Sequence, residues 1–145
     1  MLHLIRDLSD RFFNLLSEDP VRPHIPHEQR IGKNKDIFVL EERDSVGAVT
    51  CVCYQLKVPE NEITLFELCD NPKTAVFYTI WSYQPGKGRQ LILDSVDYIC
   101  KNNPSIDNFV TLSPKTEMAR KFHLKNGAKI YRENKDTINY IYEVK

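Results

Sequence analysis

AVFYTIWSYQPGKGR, from Ala75 to Arg89, is the stretch whose reading decides the fold. Its β-branched and aromatic run breaks at Gln84-Pro85-Gly86. Beyond Lys87-Gly88-Arg89, apolar Leu91, Ile92, Val96 and Ile99 recur at helical spacing. The pattern predicts a strand, a glycine turn and a helix start. Such a junction gathers backbone N–H groups and the positive end of a helix dipole at one point, which suits a phosphate. The helix should stop at Asn102-Asn103-Pro104, and Phe109 to Leu112 reads as the next strand. A strand, helix, strand order of this length implies a right-handed crossover between two parallel strands.

Downstream, Ser113-Pro114 reads as an N-cap followed by proline at the first helical position, opening a helix that Gly127 ends. Ala128 to Arg132 and Thr137 to Val144 form a closing hairpin around Asn134-Lys135-Asp136. Upstream, Ile37 to Glu42 and Val46 to Leu56 flank Arg43-Asp44-Ser45 as an antiparallel hairpin, with a strand or short helix expected near Ile63 to Leu68. From Leu2 to Leu16, apolar residues at three- and four-residue steps predict an amphipathic helix. Pro20, Pro23 and Pro26 then impose a loop to about Ile31. It carries His24 and His27, which read as loop histidines because no third metal ligand accompanies them.

The 145 residues fit one domain, 1–145, without repeats or linkers. Twenty basic residues balance twenty acidic ones, so the net charge points to neither nucleic acid nor a membrane surface. No apolar run approaches the ~20 residues that span a bilayer. Cys51, Cys53, Cys69 and Cys100 lack CxxC spacing, and no secretory signal order is seen, so a reducing cytoplasm is expected. Cys51 and Cys53 share one strand face and read as small buried residues.

This order of elements resembles the GNAT superfamily of acyl-CoA-dependent acyltransferases. The resemblance implies an α/β (α+β) fold: a mixed, mostly antiparallel sheet with a central parallel pair and helices on both faces. Gly86 and Gly88 fill the small positions of the family's pyrophosphate loop, although Tyr83 stands where the family has Gln or Arg and Gln84 comes one residue late. The implied CoA-binding residues are Gln84, Gly86, Lys87, Gly88 and Arg89. A more local resemblance, to the catalytic domain of malonyl-CoA decarboxylase, runs through Phe109-Val110-Thr111-Leu112-Ser113-Pro114, Phe122-His123-Leu124-Lys125-Asn126-Gly127-Ala128 and Asn139-Tyr140-Ile141-Tyr142. It implies Ser113 and His123 as the catalytic residues. His123 also stands where GNAT enzymes carry the tyrosine that protonates the departing thiolate, and an unperturbed imidazole of pKa ~6.5 exchanges a proton near neutrality.

Two readings stay open for each residue. Ser113 is a nucleophile or hydrogen-bond donor, or a plain N-cap; His123 is an acid, or a hydrogen-bonded core residue. On a continuous helix the pair would stand about 15 Å apart, which argues against a direct dyad. The resemblance implies acetyl-CoA or another acyl-CoA as substrate and no metal. It admits a small-molecule amine as acceptor and a homodimer. The expected activity is transfer of an acetyl or short acyl group to an amine. The alternatives are decarboxylation of malonyl-CoA and CoA binding without catalysis.

Overall fold

The computed structural model describes residues 1–144. Its centre is β4 (Thr74–Ser82), which is buried along nearly its whole length. Both faces of this strand are apolar because both are covered. On one edge it pairs antiparallel with β3 (Ser45–Gln55), which continues to β2 (Lys35–Glu42) and β1 (Leu2–Ile5), all antiparallel. On the other edge it pairs in parallel with β5 (Asn108–Thr111) after the crossover helix α1 (Lys87–Asn102). β6 (Ser113–Pro114), helix α2 (Glu117–Lys125), β7 (Lys129–Glu133) and β8 (Thr137–Tyr142) complete the sheet, with β8 pairing β5, β6 and β7.

Alternation of side chains along the strands builds two cores. On one face, Leu91, Ile92 and Ile99 of α1 pack over Phe38, Ala48, Val52 and Phe77. The other face buries Ile37, Val39, Val49, Cys51, Val76 and Val110 against Leu16, Ile25 and Leu65. These last three come from short 3-10 turns and a proline loop. Each fully buried aliphatic side chain contributes about 1.5–3 kcal/mol. No helix among the described residues is long and apolar enough to cross a membrane.

Two irregularities open the sheet. In the β3–β4 ladder, Cys51 faces Thr79 and Val52 faces Phe77, so Tyr78 is an extra residue and β4 is bulged there. Pairing between β4 and β5 ends at Phe77 and Thr111, one step before the bulge, with a last hydrogen bond from Leu112 N to Phe77 O of 3.1 Å. Beyond that point the parallel strands diverge.

Two expectations are corrected, and one, the strand or short helix near Ile63, is narrowed. Leu2 to Leu16 is not a helix: β1 occupies Leu2–Ile5, and a 3-10 turn begins only at Phe13. Asp7 and Asp10 accept hydrogen bonds from the amides of Ser9 and Phe12, turns that compete with helical pairing. The region near Ile63 is a 3-10 turn over Glu62–Thr64, capped by Asn61 Oδ1 accepting from Ile63 N at 2.9 Å. Ser113 is not an N-cap, because Ser113 and Pro114 pair with Ile138 and Thr137. The cap of α2 is Thr116, whose Oγ1 accepts from Ala119 N at 3.1 Å.

Candidate active site

Where β4 and β5 part, a cleft of about 610 Å³ opens. Its volume falls within the ~300–1,000 Å³ of small-molecule sites. Tyr78, Thr79 and Trp81 line it from β4, Leu112 and Ser113 from the β5–β6 strand, and Phe122 and His123 from α2. Pro20 and Val21 close it from the opposite face, and Gly88 marks its end at the start of α1. The lining contains no Asp, Glu, Lys or Arg.

At the α1 end, Gly86 adopts a left-handed conformation, φ +79°, which permits the sharp turn out of β4. It serves as N-cap without a capping side chain, and no acidic residue occupies the first helical turn. The N-terminal amides therefore keep their affinity for an anion. Gly88 is needed for space: a Cβ there would lie 3.0 Å from the Phe122 ring. Of the other expected binding residues, Gln84 supplies its carbonyl to Lys87 N at 3.3 Å and Arg89 is solvent-exposed. Lys87 turns toward the sheet, where its ammonium pairs with Glu42. Of the five, Gly88 alone lines the cleft.

Ser113 and His123, expected apart, line one cleft because the chain passes through β6 and a turn before α2 begins. Ser113 is buried, and its hydroxyl donates to Thr111 Oγ1 at 2.8 Å. Thr111 Oγ1 also accepts from Tyr140 N at 3.1 Å. His123 is 4% exposed. Its Nδ1 lies 2.7 Å from the Tyr142 hydroxyl, and its ring stacks on Tyr140 with centroids 4.9 Å apart. Burial lowers its pKa to about 4, so the imidazole is neutral at pH 7 rather than titrating near neutrality. Burial also raises the Tyr142 pKa, which keeps that phenol protonated. In one tautomer the protonated phenol donates to Nδ1. That tautomer carries the proton on Nε2, which is then a neutral donor.

Thr111 and Tyr142 entered the sequence reading only within motifs, and Asp19 and Arg22 were given no role at the site. Thr111 and Tyr142 belong to strands already identified, and their inward alternation was the available signal. Asp19 and Arg22 sit among prolines with no periodicity to read. His24 and His27 are not brought together on a metal: His24 bonds Glu62 at 2.7 Å and His27 packs edge-on against Phe13. No cluster able to hold a metal ion occurs among the described residues.

Neither a protein-family model nor a curated protein sequence matches the chain. Solved structures do. Malonyl-CoA decarboxylase from Agrobacterium vitis matches with TM-score 0.82 and 16% identity, over 100% of this chain and 60% of that one. An acetyltransferase from Bacillus subtilis, in complex with CoA, matches with TM-score 0.67 and 14% identity, over 99% and 98%. A Campylobacter jejuni N-acetyltransferase in complex with acetyl coenzyme A matches with TM-score 0.64 and 15% identity, over 100% of both chains. The chain spans about 60% of the length of the malonyl-CoA decarboxylases it matches. With its mixed sheet and the single parallel pair β4–β5, the chain has the GNAT fold.

Proposed function

We propose that the chain is an acyl-CoA-dependent enzyme that transfers an acetyl or short acyl group from CoA to an amine, acting as one domain. The observation that carries this reading is the cleft, which runs from the uncapped N-terminus of α1 to His123. The CoA pyrophosphate would rest on the amides of Gly88 and Arg89, and the thioester would reach the parting of β4 and β5. There a free amine attacks the carbonyl carbon, backbone groups of the bulged strand hold the tetrahedral oxyanion, and the C–S bond breaks. A thiol of pKa ~8.5 leaves readily as thiolate, and the proton that the attacking nitrogen loses, through solvent, restores the thiol. His123 Nε2–H would stabilise it by a hydrogen bond, which a neutral imidazole can supply. Transferases holding CoA or acetyl coenzyme A match this chain over nearly their whole length, which supports transfer by a domain of this size. Free thiols at all four cysteines suit a reducing compartment such as the cytoplasm.

A second reading, decarboxylation of malonyl-CoA, is favoured by the uncharged lining together with Ser113 and His123 in one cleft. An unpaired carboxylate is destabilised in such surroundings, and its loss as CO₂ leaves an enolate that His123, and Ser113 once its hydroxyl turns from Thr111, would hold before a proton returns to carbon. Incubation with malonyl-CoA alone separates the two readings. Acetyl-CoA formed without amine, and lost in His123→Ala, establishes decarboxylation. Free thiol released from acetyl-CoA only when amines are added establishes transfer.

A further inference from the structure

The proline loop is fastened to the sheet by more buried charge than a surface loop requires. Asp19, Arg22 and Arg30 are 3%, 4% and 0% exposed. The Asp19 carboxylate accepts from Val21 N, Arg22 N, the Thr79 hydroxyl and Arg30 Nη1, at 2.7 to 3.0 Å. Burial pushes its pKa up, but these hydrogen bonds outweigh that and hold it low. Arg30 also donates to the carbonyls of Arg22 and Ile25. Arg22 lies with Nε 2.6 Å from Glu62 Oε1 and donates from Nη1 to the carbonyl of Tyr78. Buried ions of this kind cost several kcal/mol each unless fully paired, and a packed apolar loop would cover the same face more simply.

Within β4, this network touches only the Tyr78 carbonyl and the Thr79 hydroxyl. The carbonyl belongs to the Tyr78–Thr79 peptide at the bulge and the hydroxyl to the residue that follows Tyr78, immediately beyond the last β4–β5 pair. A bulge lifts backbone groups out of the ladder and leaves them to find other partners. Here the displaced carbonyl is held by a guanidinium, and the following side chain by a carboxylate. We propose that Arg22 and Asp19 are positioning residues that fix the Tyr78–Thr79 peptide against the acyl carbonyl. This inference rests on the acyl-CoA reading above. The clamp touches the cleft at its acyl end, whereas Gly88 and the α1 amides lie at the other. Its loss therefore impairs the chemical step and leaves CoA affinity intact.

Thr79→Val, Thr79→Ser and Arg22→Met test this, with kcat and KM for acyl-CoA turnover, CoA affinity by calorimetry and Tm measured for each. Thr79→Val deletes one hydrogen bond to Asp19 at nearly constant volume. Its kcat should fall about tenfold, with KM and CoA affinity within about twofold of the parent and activity restored in Thr79→Ser. Arg22→Met should lower kcat further; should that variant not fold, the Thr79 pair decides. Wild-type kcat in Thr79→Val, a loss of CoA affinity equal to the loss of kcat, or a serine variant as impaired as the valine variant would each overturn the proposal. Failure of the parent chain to bind CoA or turn over any acyl-CoA refutes the acyl-CoA reading itself, and the clamp's role falls with it.

Discussion

Acidification should destabilise the protein through His123 before the carboxylates titrate. An unfolded histidine has a pKa of ~6.5, and burial lowers that of His123 to about 4. Because the folded-state value is the lower one, the unfolded chain takes up the extra proton first as pH falls. The stabilisation is whole above pH 6.5 and is lost as pH drops through 4. Linkage gives a loss on the order of 1 kcal/mol at pH 5.5 and roughly 2–3 kcal/mol at pH 4.5, approaching about 3 kcal/mol below pH 4. Asp36 acts in the opposite sense: burial raises its pKa, so its contribution grows on acidification. The measurement is therefore a difference. Urea unfolding, followed by the fluorescence of the single tryptophan Trp81, is compared at pH 7, 5.5 and 4.5 for the parent and His123→Gln. The parent should lose more stability than the variant by about the amounts above. Parallel losses in the two proteins would refute a buried neutral histidine.

Two further outcomes follow from the geometry. Gly86→Ala should cost about 1–2 kcal/mol by urea unfolding, since φ of +79° is unfavourable for an L side chain while a Cβ there meets nothing within 4 Å; unchanged stability would contradict the left-handed turn. In the native state, a thiol reagent should label Cys69 and Cys100 first. Cys51, its thiol pushed up to about 11 by burial, and equally buried Cys53 should react only on unfolding, and four fast thiols would refute the assigned core.

The sheet centre was legible because β4 is a continuous β-branched and aromatic run and α1 keeps helical spacing, with a glycine turn between them. The first sixteen residues were not. Leu4, Ile5, Leu8, Phe12, Leu15 and Leu16 keep helical spacing, yet Leu2–Ile5 gains a full antiparallel ladder with β2 and leaves Leu8 61% exposed. Pairing with a distant strand outweighed local pattern. Ser113-Pro114 misled for a related reason: Ser113 and Thr116 can both cap, and only the pairing of Ser113 with Ile138 decides between them. Gly86 and Gly88 stand at the turn their spacing predicts, and Ser113 and His123 meet in one cleft. The bulge clamp remained hidden because Asp19 and Arg22 find their partners, Thr79 and Tyr78, more than fifty residues away.

Gly47 holds one more consequence. A Cβ there would lie 3.0 Å from the Lys87 side chain, so this glycine is the notch in which the lysine stem lies flat and reaches Glu42. The cation nearest the start of α1 is thus neutralised within the sheet instead of facing a phosphate. Anion recognition at that end falls to the peptide dipoles and to exposed Arg89 in the first turn of α1. Affinity there should fall less steeply with ionic strength than at a site assembled from several lysines and arginines.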